Sequence, residues 1–123
     1  MSYKFKGILK AKTYLDLSDS SIKIVTEQNK EYDFTDMREA LLYFEGLGYW
    51  NIRITELFLK IPRIEKTLHF EERHDPRGLG IDGYMLYCVT PITKEEAEII
   101  EGFKKKHGSF LPLITEFEDI GVV

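Results

Sequence analysis

The residues best suited to chemistry are concentrated in one stretch, 68–84, which holds two of the three histidines in the chain. His69 and Glu71 lie two residues apart, a spacing that places both on one face of a β-strand. Such a pair could act as a general base and its orienting partner, and with His74 and Asp75 it could hold a metal ion. His69 and His74 differ in parity, however, so the two rings need not converge. No nucleophile elbow or zinc-binding helix motif supports catalysis.

The second half of the same stretch combines basic side chains with closely spaced glycines. Glycine allows backbone N–H groups to approach a ligand closely, and guanidinium groups bind phosphate well. The loop 73–83 is therefore a candidate site for a small anionic, nucleotide-like ligand. The candidate residues are Arg73, His74, Arg77, Gly78, Gly80 and Asp82. The plain alternative is a turn, because a long hairpin loop needs glycine and proline to reverse direction.

Strand parity predicts how these side chains are positioned. Ile64, Leu68 and Phe70 share one face of an extended segment, which we expect to be core. His69 and Glu71 then point to the other face. The segment ends before Pro76, which cannot donate a hydrogen bond to a sheet.

The remaining pattern predicts an α+β fold. Short alternating runs separated by tight turns over residues 3–34 predict an antiparallel N-terminal meander, and the segments on either side of the loop 73–83 predict a central hairpin. Apolar residues at helical spacing predict two helices, at about 36–47 and 94–107. Capping-box patterns that begin at Asp36 and Thr93 mark the two helix starts. We therefore expect a mainly antiparallel sheet packed by two α-helices.

The chain is expected to form one domain, 1–123, with an apolar tail at 109–123. Exposed apolar tails promote aggregation, so the tail is expected to dock on its own sheet or on a neighbouring subunit. Docking on a neighbouring subunit would make the protein a homo-oligomer, and we favour this alternative. Tyr49 and Trp50 follow the first helix directly. They either seal the sheet edge or contact a partner, since aromatic residues are enriched at interfaces.

Composition excludes several classes of protein. A net charge of −4 argues against non-specific nucleic-acid binding, which needs clustered lysine and arginine. The single cysteine, Cys88, cannot form an intramolecular disulfide; it predicts a reducing compartment and a buried side chain. No apolar run is long enough to span a membrane, and the N-terminus lacks an apolar signal segment. The sequence thus predicts a cytoplasmic protein without a membrane anchor.

These observations favour a small, non-catalytic intracellular binding protein of the inhibitor, immunity or sequestering type. Such proteins act through surface complementarity and carry no catalytic motif. Neither a metal nor another cofactor is predicted. The partner is expected to be a protein bound through Tyr49 and Trp50, or an anionic ligand at the loop 73–83. The alternatives are a small hydrolase or metal-dependent enzyme using residues of the 69–75 segment, and a structural assembly subunit.

Overall fold

The computed structural model describes residues 5–74 and 84–107, together with the backbone of 113–114. The elements follow one another as β1 (Gly7–Asp16), β2 (Ser21–Thr26), β3 (Glu31–Phe34), α1 (Met37–Gly46), β4 (Tyr49–Lys60), β5 (Leu68–His74), β6 (Tyr84–Cys88), α2 (Lys94–His107) and β7 (Leu113–Ile114). The strands form one sheet in the order β3-β2-β1-β4-β5-β6-β7. The α+β fold, with its mainly antiparallel sheet and two helices, is confirmed.

The sheet contains two antiparallel groups of three strands, β3-β2-β1 and β4-β5-β6, joined by a parallel pair. Strands β1, β2 and β3 form the predicted meander, and β5 pairs with β6 in the predicted hairpin. The two groups meet where β1 pairs with β4 in parallel, a pairing that the sequence pattern did not predict. This register shifts at Gly7 and again between Ala11 and Lys12. Gly7 adopts a φ of 90°, a backbone conformation that glycine allows at little cost.

The helix starts follow the predicted caps, with one difference. The Asp36 carboxylate accepts a hydrogen bond from the Glu39 backbone N–H at 2.8 Å. The Glu39 carboxylate accepts from the backbone N–H and the hydroxyl of Thr35, rather than from the N–H of Asp36. The hydrogen bonds of the first cap therefore begin at Thr35, one residue before the predicted start at Asp36. At α2, Thr93 and Glu96 exchange the two hydrogen bonds of the predicted capping box, at 2.9 and 3.1 Å.

Both helices pack on one side of the sheet, which we call the covered face. Helix residues Phe44 and Ile100 join the same buried cluster as Leu57 and Phe70 from the strands. The predicted core residues Ile64, Leu68 and Phe70 are all buried. The first helix ends at Gly46, one residue before the predicted boundary, and the capping residue Leu47 is 39% exposed.

The opposite side of β1, β2, β4 and β5 is the uncovered face. It carries Lys12, Tyr14, Lys23, Glu56, Phe58, His69 and Glu71, all half-buried or exposed. The covered face is mainly apolar, whereas this face combines aromatic rings with charges of both signs. Side chains alternate between the two faces along the strands, except at Thr55 and Glu56 of β4, where the register with β1 shifts.

The end of the chain is described only in part. Leu113–Ile114 pairs in parallel with β6 and adds the last strand to the sheet. The rest of the 109–123 tail lies outside the described residues. Neither described helix is long and apolar enough to cross a membrane. Cys88 is buried as predicted, and burial raises the pKa of its thiol.

Candidate functional site: the uncovered face of the sheet

Three aromatic rings stack in a ladder across the uncovered face. The pairing registers place Tyr14 opposite Phe58 and Phe58 opposite His69, so side chains from β1, β4 and β5 lie side by side. The ring centroids of Tyr14 and Phe58 are 4.6 Å apart, with an interplanar angle of 9°. Those of Phe58 and His69 are 4.5 Å apart at 6°. Each stacked pair contributes roughly 0.5–1.5 kcal/mol beyond its buried area, so the ladder holds the His69 ring in a defined plane.

A row of charged residues runs beside the ladder, two positions before the ladder residue in β1 and β4 and two positions after it in β5. Lys12 pairs in register with Glu56, and Glu56 pairs with Glu71. The Lys12 ammonium lies 2.9 Å from Oε2 of Glu56. The other oxygen of that carboxylate, Oε1, lies 3.1 Å from Nε2 of His69. Glu56 therefore links the charged row to the ladder.

The same contacts set the protonation of this cluster. A hydrogen bond from Lys12 lowers the pKa of the Glu56 carboxyl below its ordinary value, outweighing the opposite effect of partial burial. The hydrogen bond to Glu56 in turn raises the pKa of Lys12. Nε2 of His69 also lies 3.9 Å from a Glu71 oxygen. The lowered pKa of Glu56 and the raised pKa of Lys12 both favour the charged forms of this pair.

A groove borders the ladder on the side of β2 and β3. It encloses about 620 Å³, and the rings of Tyr14 and Phe58 form part of its lining. Basic and acidic side chains, among them Lys23, Lys60 and Asp33, also line the groove. The groove therefore offers both apolar and charged groups to a side chain or loop of a partner.

The structure describes only part of the predicted anion site. Arg73 and His74 lie exposed at the end of β5, and the Arg73 guanidinium lies over the Tyr87 ring, 5.9 Å from its centroid. Four of the candidate residues, Arg77, Gly78, Gly80 and Asp82, lie outside the described residues. Anion binding at this loop stays a prediction.

Of the residues proposed for an enzyme, His69 and Glu71 lie together on the uncovered face. His74 is exposed at the strand end with the opposite parity, and Asp75 lies outside the described residues. The pair meets in the way that strand parity predicts. Glu56, which the sequence hypothesis did not include, also contacts His69 of this pair.

The two aromatic residues after α1 differ from each other. Trp50 is 60% exposed, whereas Tyr49 is half-buried beside Phe44, with the Lys6 ammonium 5.4 Å from the centre of its ring. Tyr49 therefore belongs to the edge of the core. Of the two side chains, only Trp50 is largely exposed to solvent.

Sequence reasoning missed most of the site. Glu56 and Phe58 were not part of the predicted site. The sequence hypothesis could not connect them with Lys12, Tyr14 or His69, because the strands that pair with β4 could not be read from the chain. The missing signal is the parallel pairing of β1 and β4.

No model of a known protein family, no curated protein and no solved structure matches this chain.

Proposed function

We propose that this chain is a non-catalytic binding protein, and that a protein partner docks on the uncovered face of its sheet. The observation that carries the proposal is the ring ladder, in which Tyr14, at one end, is 40% exposed. Centres of protein interfaces are enriched in tyrosine and other aromatic residues, which supply large contact areas at low entropic cost. The inhibitor, immunity and sequestering types of protein all act through such a surface.

The charges around the ladder favour a protein over a nucleic acid. Lys12 and Lys23 lie close to Glu56 and Glu31, so basic side chains are interspersed with carboxylates. A phosphate backbone needs a continuous basic surface, whereas a protein partner can match charges of both signs. The overall charge of −4 agrees with this choice.

The open shape of the face favours binding over catalysis. Enzymes strengthen their electrostatic interactions by closing the reacting groups away from water. Here His69 and both glutamates are accessible on a sheet surface. A surface of this kind can complement a partner without any chemical step.

The proposal is tested by comparing capture of the partner by matched variants. Cell extract is passed over the immobilised full chain, over Tyr14→Ser and over Trp50→Ser, and the retained proteins are quantified. Both substitutions remove an exposed aromatic ring, but only the first touches the ladder. A protein retained by the wild type and by Trp50→Ser, and lost with Tyr14→Ser, is the expected result.

The opposite pattern would move the interface to the end of α1, as the sequence hypothesis for Trp50 predicts. Retention that neither substitution changes would contradict a role for the ladder. Thermal unfolding of both variants shows whether each still folds, so a loss of capture can be assigned to the surface.

A further inference from the structure

We propose that Glu56, His69 and Glu71 form a binding site for a divalent transition-metal ion, for which zinc is the suitable probe. The inference goes beyond the proposed function, because the isolated chain can bind a metal without any partner. It rests on three features of the uncovered face: the donor set, the fixed histidine and two opposed carboxylates.

The donor set suits zinc. One imidazole nitrogen and two carboxylate oxygens, one from each residue, all lie within 4.8 Å of one another. Zinc binds these donors at about 2.0–2.2 Å, so donors that share an ion lie roughly 3–4 Å apart. Nε2 of His69 is already 3.1 Å from Glu56 Oε1 and 3.9 Å from Glu71 Oε1. Small side-chain movements would therefore complete three protein ligands and leave a further position for water.

The histidine is held in place before any ion arrives. Its ring stacks on Phe58 at an interplanar angle of 6°. Its backbone N–H donates to the Thr90 hydroxyl at 2.8 Å, and its carbonyl accepts from the Val89 N–H at 2.9 Å. A ligand fixed in this way loses little freedom when it binds a metal.

The two carboxylates give a second, electrostatic reason for a cation. Glu56 and Glu71 are direct cross-strand neighbours, and like charges at such positions destabilise a sheet. The Lys12 ammonium offsets part of this repulsion through Oε2 of Glu56, and Oε1 remains directed towards His69. A divalent ion between the glutamates would offset the remainder.

Isothermal titration of the full chain with zinc chloride, after removal of bound metals with a chelator, tests the site. We expect one zinc ion per chain. His69→Gln should weaken binding about tenfold or more, because one of three ligands is lost. His74→Gln is the matched control at the exposed end of the same strand and should leave the affinity unchanged. Calcium should bind much more weakly, because it prefers a shell of oxygen ligands.

The Lys12→Met variant is expected to bind zinc more tightly than the wild type, the opposite of the effect expected for His69→Gln. Removing the ammonium takes a like charge away from the ion and frees the second oxygen of Glu56, so zinc affinity should rise several-fold. The proposal is overturned if zinc does not bind, or if His69→Gln binds as tightly as the wild type. The two proposals can fail separately. Zinc titration of the isolated chain tests only the metal site, whereas Tyr14-dependent capture in the presence of a chelator tests only the docking surface.

Discussion

The two faces of the sheet are built from the same strands but are organised by different forces. Leu57 and Phe58 are neighbours in β4, yet Leu57 is fully buried under the helices, whereas Phe58 lies in a ring ladder open to solvent. On the covered face, apolar surface is removed from water, and any well-packed apolar side chain gains from this. On the uncovered face, the ring stacking and the ion pairs depend on which side chains the strand register places opposite one another. We infer that stability comes mainly from the covered face, and we propose that binding uses the uncovered face.

The largest expected difference is between two phenylalanines on opposite faces. Phe70 of β5 is 0% exposed, and Phe70→Ala should lower the free energy of unfolding by about 3–5 kcal/mol through lost burial and a residual cavity. Phe58→Ala should cost about 1–2 kcal/mol, since a half-buried ring loses less contact area. Urea denaturation of both variants measures the difference. Equal losses would mean that the ladder is part of the stabilising core, and the division between the faces would be wrong.

Replacing a buried polar residue of the covered face is expected to raise the free energy of unfolding, by a smaller amount. Thr13 is 0% exposed, and among the described residues its hydroxyl has no hydrogen-bond partner. Thr13→Val keeps the shape and removes the unsatisfied group, so it should stabilise the fold by about 1 kcal/mol. Thr55→Val is a useful control, because the Thr55 hydroxyl does donate, to the Ala11 carbonyl. A destabilised Thr13→Val variant would show that the buried hydroxyl is satisfied after all.

The smallest effect is a pH dependence that originates on the uncovered face. The hydrogen bond from Lys12 lowers the pKa of Glu56 in the folded state below its ordinary value of 4.5. Glu56 therefore stabilises the folded state above that pH, and the contribution is lost as the pH falls through the folded-state pKa. Thermal unfolding between neutral pH and about pH 3 should show a shallower loss of stability for Glu56→Gln than for the wild type. Identical profiles would mean that the Lys12–Glu56 pair contributes nothing to stability.

Features that depend on local sequence were predictable. The helix starts follow from side chains that bond within three or four residues, as at Thr93 and Glu96. The covered face of β5 follows from the alternation of Leu68 and Phe70 with polar residues. Both kinds of signal lie within a short segment, where periodicity and capping chemistry are informative.

The ring ladder could not be predicted, because it depends on contacts between distant segments. Tyr14 and Phe58 meet only because β1 and β4 pair in parallel, in a register that shifts between Ala11 and Lys12. A slip of one residue would turn one ring of this pair to the other face. The sequence hypothesis chose the loop after β5 as the site, since glycine and arginine are visible without knowledge of the strand order.

Oxidative footprinting of Tyr14 and Trp50 tests the division between the two regions most directly. Hydroxyl radicals modify exposed aromatic side chains, so mass spectrometry of the chain, free and after recovery from cell extract with its partner, reports which ring becomes covered. We expect Tyr14 to be protected in the bound state while Trp50 remains as reactive as in the free protein. Protection of Trp50 with an unchanged Tyr14 would contradict the assignment of binding to the uncovered face.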